Sequence, residues 1–319
     1  MTARILSTAH GTNREAFSLT DWALFLSVGT IWGSSFVFIA VGLEAFEPGL
    51  ITWLRVLFGA AVLWFVPAAR RARIAPEDRP RLVALSFLWV AIPFTLFPIA
   101  QQWVDSAVVG MLNGAVPVLT AVATSLLLRR LPGRVQIVGL ALGFAGIASI
   151  ALPTAGEGSS ELVGVVLVLL ATICYGMAIT IAGPLQQRYG ALTVMARILG
   201  LAAVWTAPFG LVALPGSAFS WPSLGSVAAL GVLGSGVAFV LMGTLVGRVG
   251  STRASFATYL IPVVAMGLGV WLRDDDVGPL GLLGVVLVIA GALLASRREA
   301  RRDDLAVPPV PEVDGAAPA

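Results

Sequence analysis

VDSAVVGMLNGAVP, residues 104–117, returns 145 residues later in degraded form as VGSTRASFATYLIP, residues 249–262. Aligned without a gap, Ser106 falls on Ser251, Asn113 on Thr258 and Pro117 on Pro262. The register holds beyond the proline, with Gly139 on Gly284 and Gly146 on Gly291. A fixed offset that matches glycines and prolines says more than shared hydrophobicity, because backbone geometry places those residues. The chain reads as a duplication.

Only 12% of the 319 residues are charged and 58% are apolar. A soluble domain is nearer a quarter charged. There is too little polar surface here to cover a water-soluble globule, so the solvent for most of this chain is lipid. One cysteine, Cys174, and one histidine, His10, exclude a disulfide framework and a His/Cys metal site. No cofactor or metal is expected. All twenty cationic residues are arginines, spread between apolar runs rather than gathered in one patch, which argues against nucleic acid as a partner. The first twenty residues have no apolar core, so no cleaved signal peptide is expected.

Ten apolar spans follow one another at 22–43, 49–68, 82–101, 106–128, 135–152, 162–183, 191–214, 223–246, 254–272 and 279–296. Each is long enough to cross about 30 Å of hydrocarbon at about 1.5 Å per residue. Backbone polar groups in lipid must be satisfied within the segment, so the spans are predicted to be helices. With the N-terminus in the cytoplasm, seventeen of the twenty arginines fall on the inside, while the outside loops hold only Arg273. Glu44, Glu47, Asp105, Glu157, Glu161 and Asp274, Asp275 and Asp276 fall outside. This bias also supports the count, since one missed helix would scramble every loop after it.

The expected fold is an all-α integral membrane protein of ten transmembrane helices, arranged as two inverted five-helix repeats. Residues 1–21 are read as a disordered cytoplasmic N-terminus and 22–152 as the first repeat. Residues 153–161 form a periplasmic or extracellular linker, 162–296 the second repeat and 297–319 a disordered cytoplasmic tail. Five helices per half is an odd number, so the second half enters from the opposite side. Upstream of the opening stretch the match continues with small shifts: Trp32 and Gly33 fall on Tyr175 and Gly176, Arg55 on Arg197 and Phe94 on Phe239. Inverted repeats are the usual build of alternating-access carriers, with the site at the repeat interface near the midplane.

Two five-helix halves, IWGSSFVF in the first helix (residues 31–38), Arg55 inside the second and a proline-centred fourth helix, LNGAVPVLTAV (residues 112–122), resemble the EamA branch of the drug/metabolite transporter superfamily. The resemblance covers about 22–152 and 162–296. It implies a multi-pass exporter or permease of the bacterial inner membrane, with both termini cytoplasmic, moving amino acids and other small metabolites.

Asn113 and Pro117, with Thr258 and Pro262, are the first candidates for a substrate site. A proline in a helix leaves the carbonyl four residues back without its donor, here those of Asn113 and Thr258. Each half thus offers a polar side chain and a freed carbonyl at one position, facing protein or a water-filled cavity. Packing alone is the plainer reading of each kink. Arg55 and Arg197 are the only charges well inside spans. Each can snorkel to the headgroups from near a helix end. The sharper reading is carboxylate binding or gating, with Glu44 or Glu47 as a partner for Arg55. Trp32, Ser34, Ser35, Trp89, Tyr175, Ser235, Phe239 and Tyr259 would line an aromatic cavity with a few hydroxyls, though each taken singly also suits packing. Gly110 and Gly114, Gly139 and Gly143, and Gly243 and Gly247 permit close helix contact, within one subunit or across a dimer face, so the chain is a monomer or a homodimer. No acid lies inside a span, which points to a facilitator or exchanger rather than a carboxylate-based proton coupler.

The function expected from the sequence is therefore a secondary transporter exporting small metabolites such as amino acids, its partners being the small-molecule substrate and the lipid bilayer. The alternatives are a carrier of drugs, nucleosides or other metabolites, and a non-transporting sensor or a channel. A membrane enzyme would need an embedded nucleophile, metal or acid–base cluster, and the spans hold none.

Overall fold

The computed structural model describes residues 17–70, 72–127, 133–156, 158–249 and 254–295. Among these every regular element is helical. The first half comprises α1 (Leu19–Leu43), α2 (Pro48–Trp64), α3 (Pro76–Ala100), α4 (Ser106–Asn113, resuming as Val116–Leu127) and α5 (Arg134–Ala155). The second comprises α6 (Ser159–Tyr189), α7 (Ala191–Ala213), α8 (Trp221–Val249), α9 (Phe256–Arg273) and α10 (Pro279–Ala295). Each apolar stretch read from the sequence falls largely in one of them, although 49–68 outruns α2 into a short helix at Pro67–Arg70. Among the described residues eight helices are long and apolar enough to cross a membrane. The other two, α2 and α10, have 17 residues each, which is about 25 Å and the lower limit for a span.

Helix boundaries differ from the hydropathy reading where polar caps intervene. α1 begins at Leu19 because Ser18 and Asp21 form a capping box: the Asp21 amide donates to Ser18 Oγ (3.2 Å) and the Ser18 amide to Asp21 Oδ2 (3.0 Å). Arg248 Nε then donates to Asp21 Oδ1 at 2.6 Å, tying the start of α1 to the end of α8. Residues 17–21, read above as part of a disordered terminus, thus start a helix. The stretch 153–161 is also partly helical, since α5 runs on through Pro153 and α6 begins at Ser159. The expectations for residues 1–16, for the tail and for Ser251 fall outside the described residues.

The halves meet helix for helix. α2 packs against α7, and α5 against α10. α1 packs against α9 and α8, and in return α6 packs against α4 and α3. The glycines make this reciprocity visible at single residues. A Cβ on Gly33 would sit 2.5 Å from Val264 Cβ, and a Cβ on Gly176 would sit 2.9 Å from the backbone of Leu119. Gly33 and Gly176 correspond in the repeat, and Leu119 and Val264 lie 145 residues apart. Each half therefore inserts the same glycine against the same point of the other half's fourth helix. Lipid supplies no hydrophobic drive between helices, so such close backbone approach is what holds the bundle together.

Candidate functional site

Both third helices contain a π-helical segment, Ser86–Ala91 in α3 and Leu230–Val237 in α8. A π turn carries one extra residue and misaligns the backbone ladder, and such turns are frequent at functional sites. The two lie in the same register, so they belong to the duplication. In α8 the segment is glycine-rich because α2 runs directly beneath it. A Cβ on Gly231 would approach the Arg55 carbonyl to 2.7 Å, and one on Gly236 would approach Val62 Cγ1 to 2.7 Å. The stretch GVLGSG at 231–236 thus serves close packing between halves.

Arg55 lies at this seam. It is only 6% exposed, so it does not snorkel to the headgroups as its place near a helix end allows. Its Nε donates to Ser235 Oγ in the α8 π segment at 3.1 Å. Its Cζ stands 3.5 Å from the centroid of the Phe94 ring in α3. Neither Glu44 nor Glu47 is its partner. Glu44 pairs with Arg273, and Glu47 accepts no bond from Arg55 while its backbone amide donates to Ser217 Oγ at 2.9 Å. No ion pair among the described residues involves Arg55. The other buried charged groups, Asp21 and Asp78, are engaged by Arg248 and by Arg188 and Tyr189.

One ring, that of Phe94, lies on the guanidinium, and further aromatic residues stand along the same seam. Trp32 of α1 donates from Nε1 to the Gly234 carbonyl at 3.0 Å, a carbonyl of the π segment, and meets Phe239 edge-to-face at 5.6 Å. Tyr175 meets Phe97 at 5.8 Å. Trp89, Tyr175 and Phe239 are half-buried against one apolar cluster that contains Phe94 and Val56. Along the α8 π segment the structure brings Arg55 to Ser235 and Trp32 to Phe239, while Trp89 and Tyr175 pack against the same apolar cluster as Phe239. Phe94 belongs with them. In the sequence it stands out only as the repeat partner of Phe239, and that correspondence is the signal that could have found it.

The proline pairs form a second, central group. α4 is interrupted rather than kinked. After Asn113 the chain tightens into two short bonds, Gly114 N to the Met111 carbonyl (3.1 Å) and Ala115 N to the Leu112 carbonyl (3.0 Å). In α9 the corresponding stretch, Phe256–Tyr259, is 3₁₀ helix. The breaks face each other, since a Cβ on Gly114 would lie 2.9 Å from Pro262 Cγ. Asn113 is buried and its Oδ1 has no partner among the described residues. Pro117 is half-buried in the resumed α4. Thr258 turns its Oγ1 back to the Ser255 carbonyl at 2.8 Å, and Tyr259 stacks on Phe256. Ser34 and Ser35 both donate to the Ile31 carbonyl of their own helix, although Ser35 Oγ also lies against Gly234. Arg197 is half-buried on α7, and no bond among the described residues joins it to the cluster around Arg55.

A cavity of about 330 Å³ opens elsewhere, where α4 begins, between Gln101, Asp105, Ser106, Glu161, Arg273 and Asp275. None of the predicted site residues lines it. Sequence reading also misses the contact beneath it, where Asp275 Oδ2 accepts from Ser106 Oγ (2.6 Å) and from the Ala107 amide (2.8 Å).

The sequence profile of the EamA-like transporter family matches residues 21–152 and again residues 162–297. A probable terminal-alkyne amino-acid exporter of Streptantibioticus cattleyicolor is 28% identical over 90% of this chain and 97% of its own length. An uncharacterized inner membrane transporter of Escherichia coli K12 is also 28% identical, over 83% of this chain and 87% of its own. Among solved structures, one crystal structure superposes with a TM-score of 0.57 at 18% identity. That match covers 86% of this chain and 96% of the other, a likeness of fold.

Proposed function

This chain belongs to the EamA-like transporter family, and from that premise we propose that it is a secondary carrier exporting small metabolites, amino acids first. In this reading α2 and α10 cross the bilayer with the other eight helices, the two repeats are inverted, and both termini lie in the cytoplasm of a cell whose plasma membrane holds the protein. The carrier alternates by rocking one set of helices against the other around the cluster at Arg55.

The observation that carries this reading is the reciprocal seating of the halves: Gly33 on Val264 and Gly176 on Leu119, with α4 interrupted after Asn113 and α9 opening in 3₁₀ helix beside the seam. A pair of equivalent contacts around one site can be exchanged between two arrangements, as alternating access requires. The cluster along the Arg55 seam combines aromatic side chains with a few polar groups, which suits a small organic cargo. The exporter from Streptantibioticus cattleyicolor supports amino acids as the first class to try.

The test is counterflow in proteoliposomes containing the purified full chain, with labelled amino acids, nucleosides and organic cations and no imposed ion gradient. Counterflow of amino acids is expected. Nucleoside or organic-cation counterflow would replace the cargo class and keep the carrier. Steady single-channel current would replace the carrier with a channel.

A further inference from the structure

We propose that Arg55 is the carboxylate anchor of this carrier, so that cargo is recognised by a carboxylate rather than by shape and apolarity alone. The inference rests on the carrier reading above. It starts from the state of the guanidinium. Arginine does not deprotonate in proteins, so burial leaves its charge in place. A buried cation needs an anion or a dense set of acceptors to offset desolvation. Among the described residues Arg55 has one acceptor, Ser235 Oγ, and one ring face, Phe94. Of the two carboxylates expected beside it, Glu44 pairs with Arg273 and Glu47 accepts no bond from Arg55.

The geometry also selects how an anion would dock. Ser235 occupies Nε and Phe94 covers one face of the guanidinium plane. Nη1 and Nη2 make no bond to a described residue. The Nη edge is thus the part of the guanidinium that has no acceptor among the described residues. Two parallel N–H groups on that edge match the two oxygens of one carboxylate. Ser235 and Phe94 act as positioning residues. Both are themselves buried, at 0% and 4% exposure, and the Phe94 carbonyl accepts from Thr52 Oγ1 of the arginine's own helix at 3.0 Å. The aromatic walls then receive the remainder of the cargo, including an ammonium group over a ring face.

Arg55 is contributed by the first repeat and Ser235 by the second. A carboxylate on the Nη edge would therefore sit on the seam that must open and close.

The test compares chemical analogues on the unmodified protein. Labelled L-amino acids are exchanged by counterflow against an excess of unlabelled amino acids, their primary amides, or the corresponding decarboxylated amines. The expected result is that amino acids compete and that amides and amines at tenfold excess do not. Arg55→Met should reduce counterflow by about 100-fold, and Arg55→Lys by about tenfold, since a lysine keeps the charge and loses the paired donors. Ser235→Ala should raise KM several-fold with kcat little changed, a split that a purely structural role would not produce. Amides or amines competing as well as the acids would overturn the anchor and leave the carrier standing. So would counterflow confined to nucleosides or organic cations. Absence of counterflow for the whole panel would overturn the carrier reading and this inference together.

Discussion

At the scale of single residues, glycine placement is where the duplication becomes mechanical. A Cβ on Gly176 would meet backbone atoms of Leu119 at 2.9 to 3.0 Å, and backbone cannot turn aside as a flexible side chain would. Gly183, seven residues further along the same helix, would carry a methyl group with nothing within 4 Å of it. Gly176→Ala should therefore destabilise the protein by about 1–3 kcal/mol, the cost of overpacking. Gly183→Ala should be neutral or stabilising by up to about 1 kcal/mol, since alanine is the better helix former. Thermal unfolding of the purified protein in one detergent checks the pair, and equal shifts for both would remove the seating argument. Much of this is legible in the chain itself: the match of Trp32 and Gly33 to Tyr175 and Gly176 can be read from the sequence. What the glycines touch cannot, because Leu119 and Val264 are ordinary apolar residues until the helices are packed. The burial of Arg55 is hidden for a related reason. Distance from a helix end suggests an escape to the headgroups, but the seam with α8 encloses the side chain.

At the scale of elements, the helices are legible and their irregularities only partly so. Length and apolarity place each helix, and proline marks the break in α4. The π segments carry no comparable mark, since inserting one residue leaves a hydrophobic run hydrophobic. The start of α4 shows the same limit. Asp105 stands at the N-cap position, yet its side chain makes no cap bond there. The acceptor at that terminus is Asp275, which binds the Ser106 hydroxyl and the Ala107 amide from the loop after α9. A helix N-terminus presents unpaired amides and a partial positive charge, so a carboxylate there is favourable from either source. Local sequence cannot reveal a cap delivered by the other repeat. Asp275→Ala should cost about 1 kcal/mol, in the range of lost N-caps. Asp105→Ala should cost less, as measured by chemical or thermal unfolding. A larger loss at Asp105 would show that the cap is local after all.

At the scale of the whole molecule, the two ends of the bundle differ although the repeats correspond. Residues 106–115 of α4 are buried without exception, whereas Phe256, Thr258 and Tyr259 at the start of α9 are partly exposed. The closed end carries the Asp275 cap and the Arg273–Glu44 ion pair, both joining one repeat to the other. The repeat register places Arg130 opposite Asp275 and Ser251 opposite Ser106. An arginine cannot cap a helix N-terminus and would be repelled by its positive end, so by sequence the duplication lacks a second latch of this kind. The opposite end has cross-repeat ion pairs of its own, Arg248–Asp21 and Arg188–Asp78, so what sets the two ends apart is the burial of residues 106–115 under the Asp275 cap, and from it we predict a resting state closed where α4 begins. The sole cysteine, Cys174, is buried, and Cys174→Ala provides a background for testing this. A cysteine at Ala107, in the seam with Gly269, should react slowly with a membrane-impermeant thiol reagent. A cysteine at Thr258 should react quickly. Adding Asp275→Ala to the Ala107 cysteine should raise its rate by about tenfold if losing the latch shifts the equilibrium by about 1.4 kcal/mol. Equal rates at the two positions would mean that no end is favoured. An Ala107 cysteine indifferent to Asp275 would mean that the closed end is held by packing, with the carboxylate serving only as a cap.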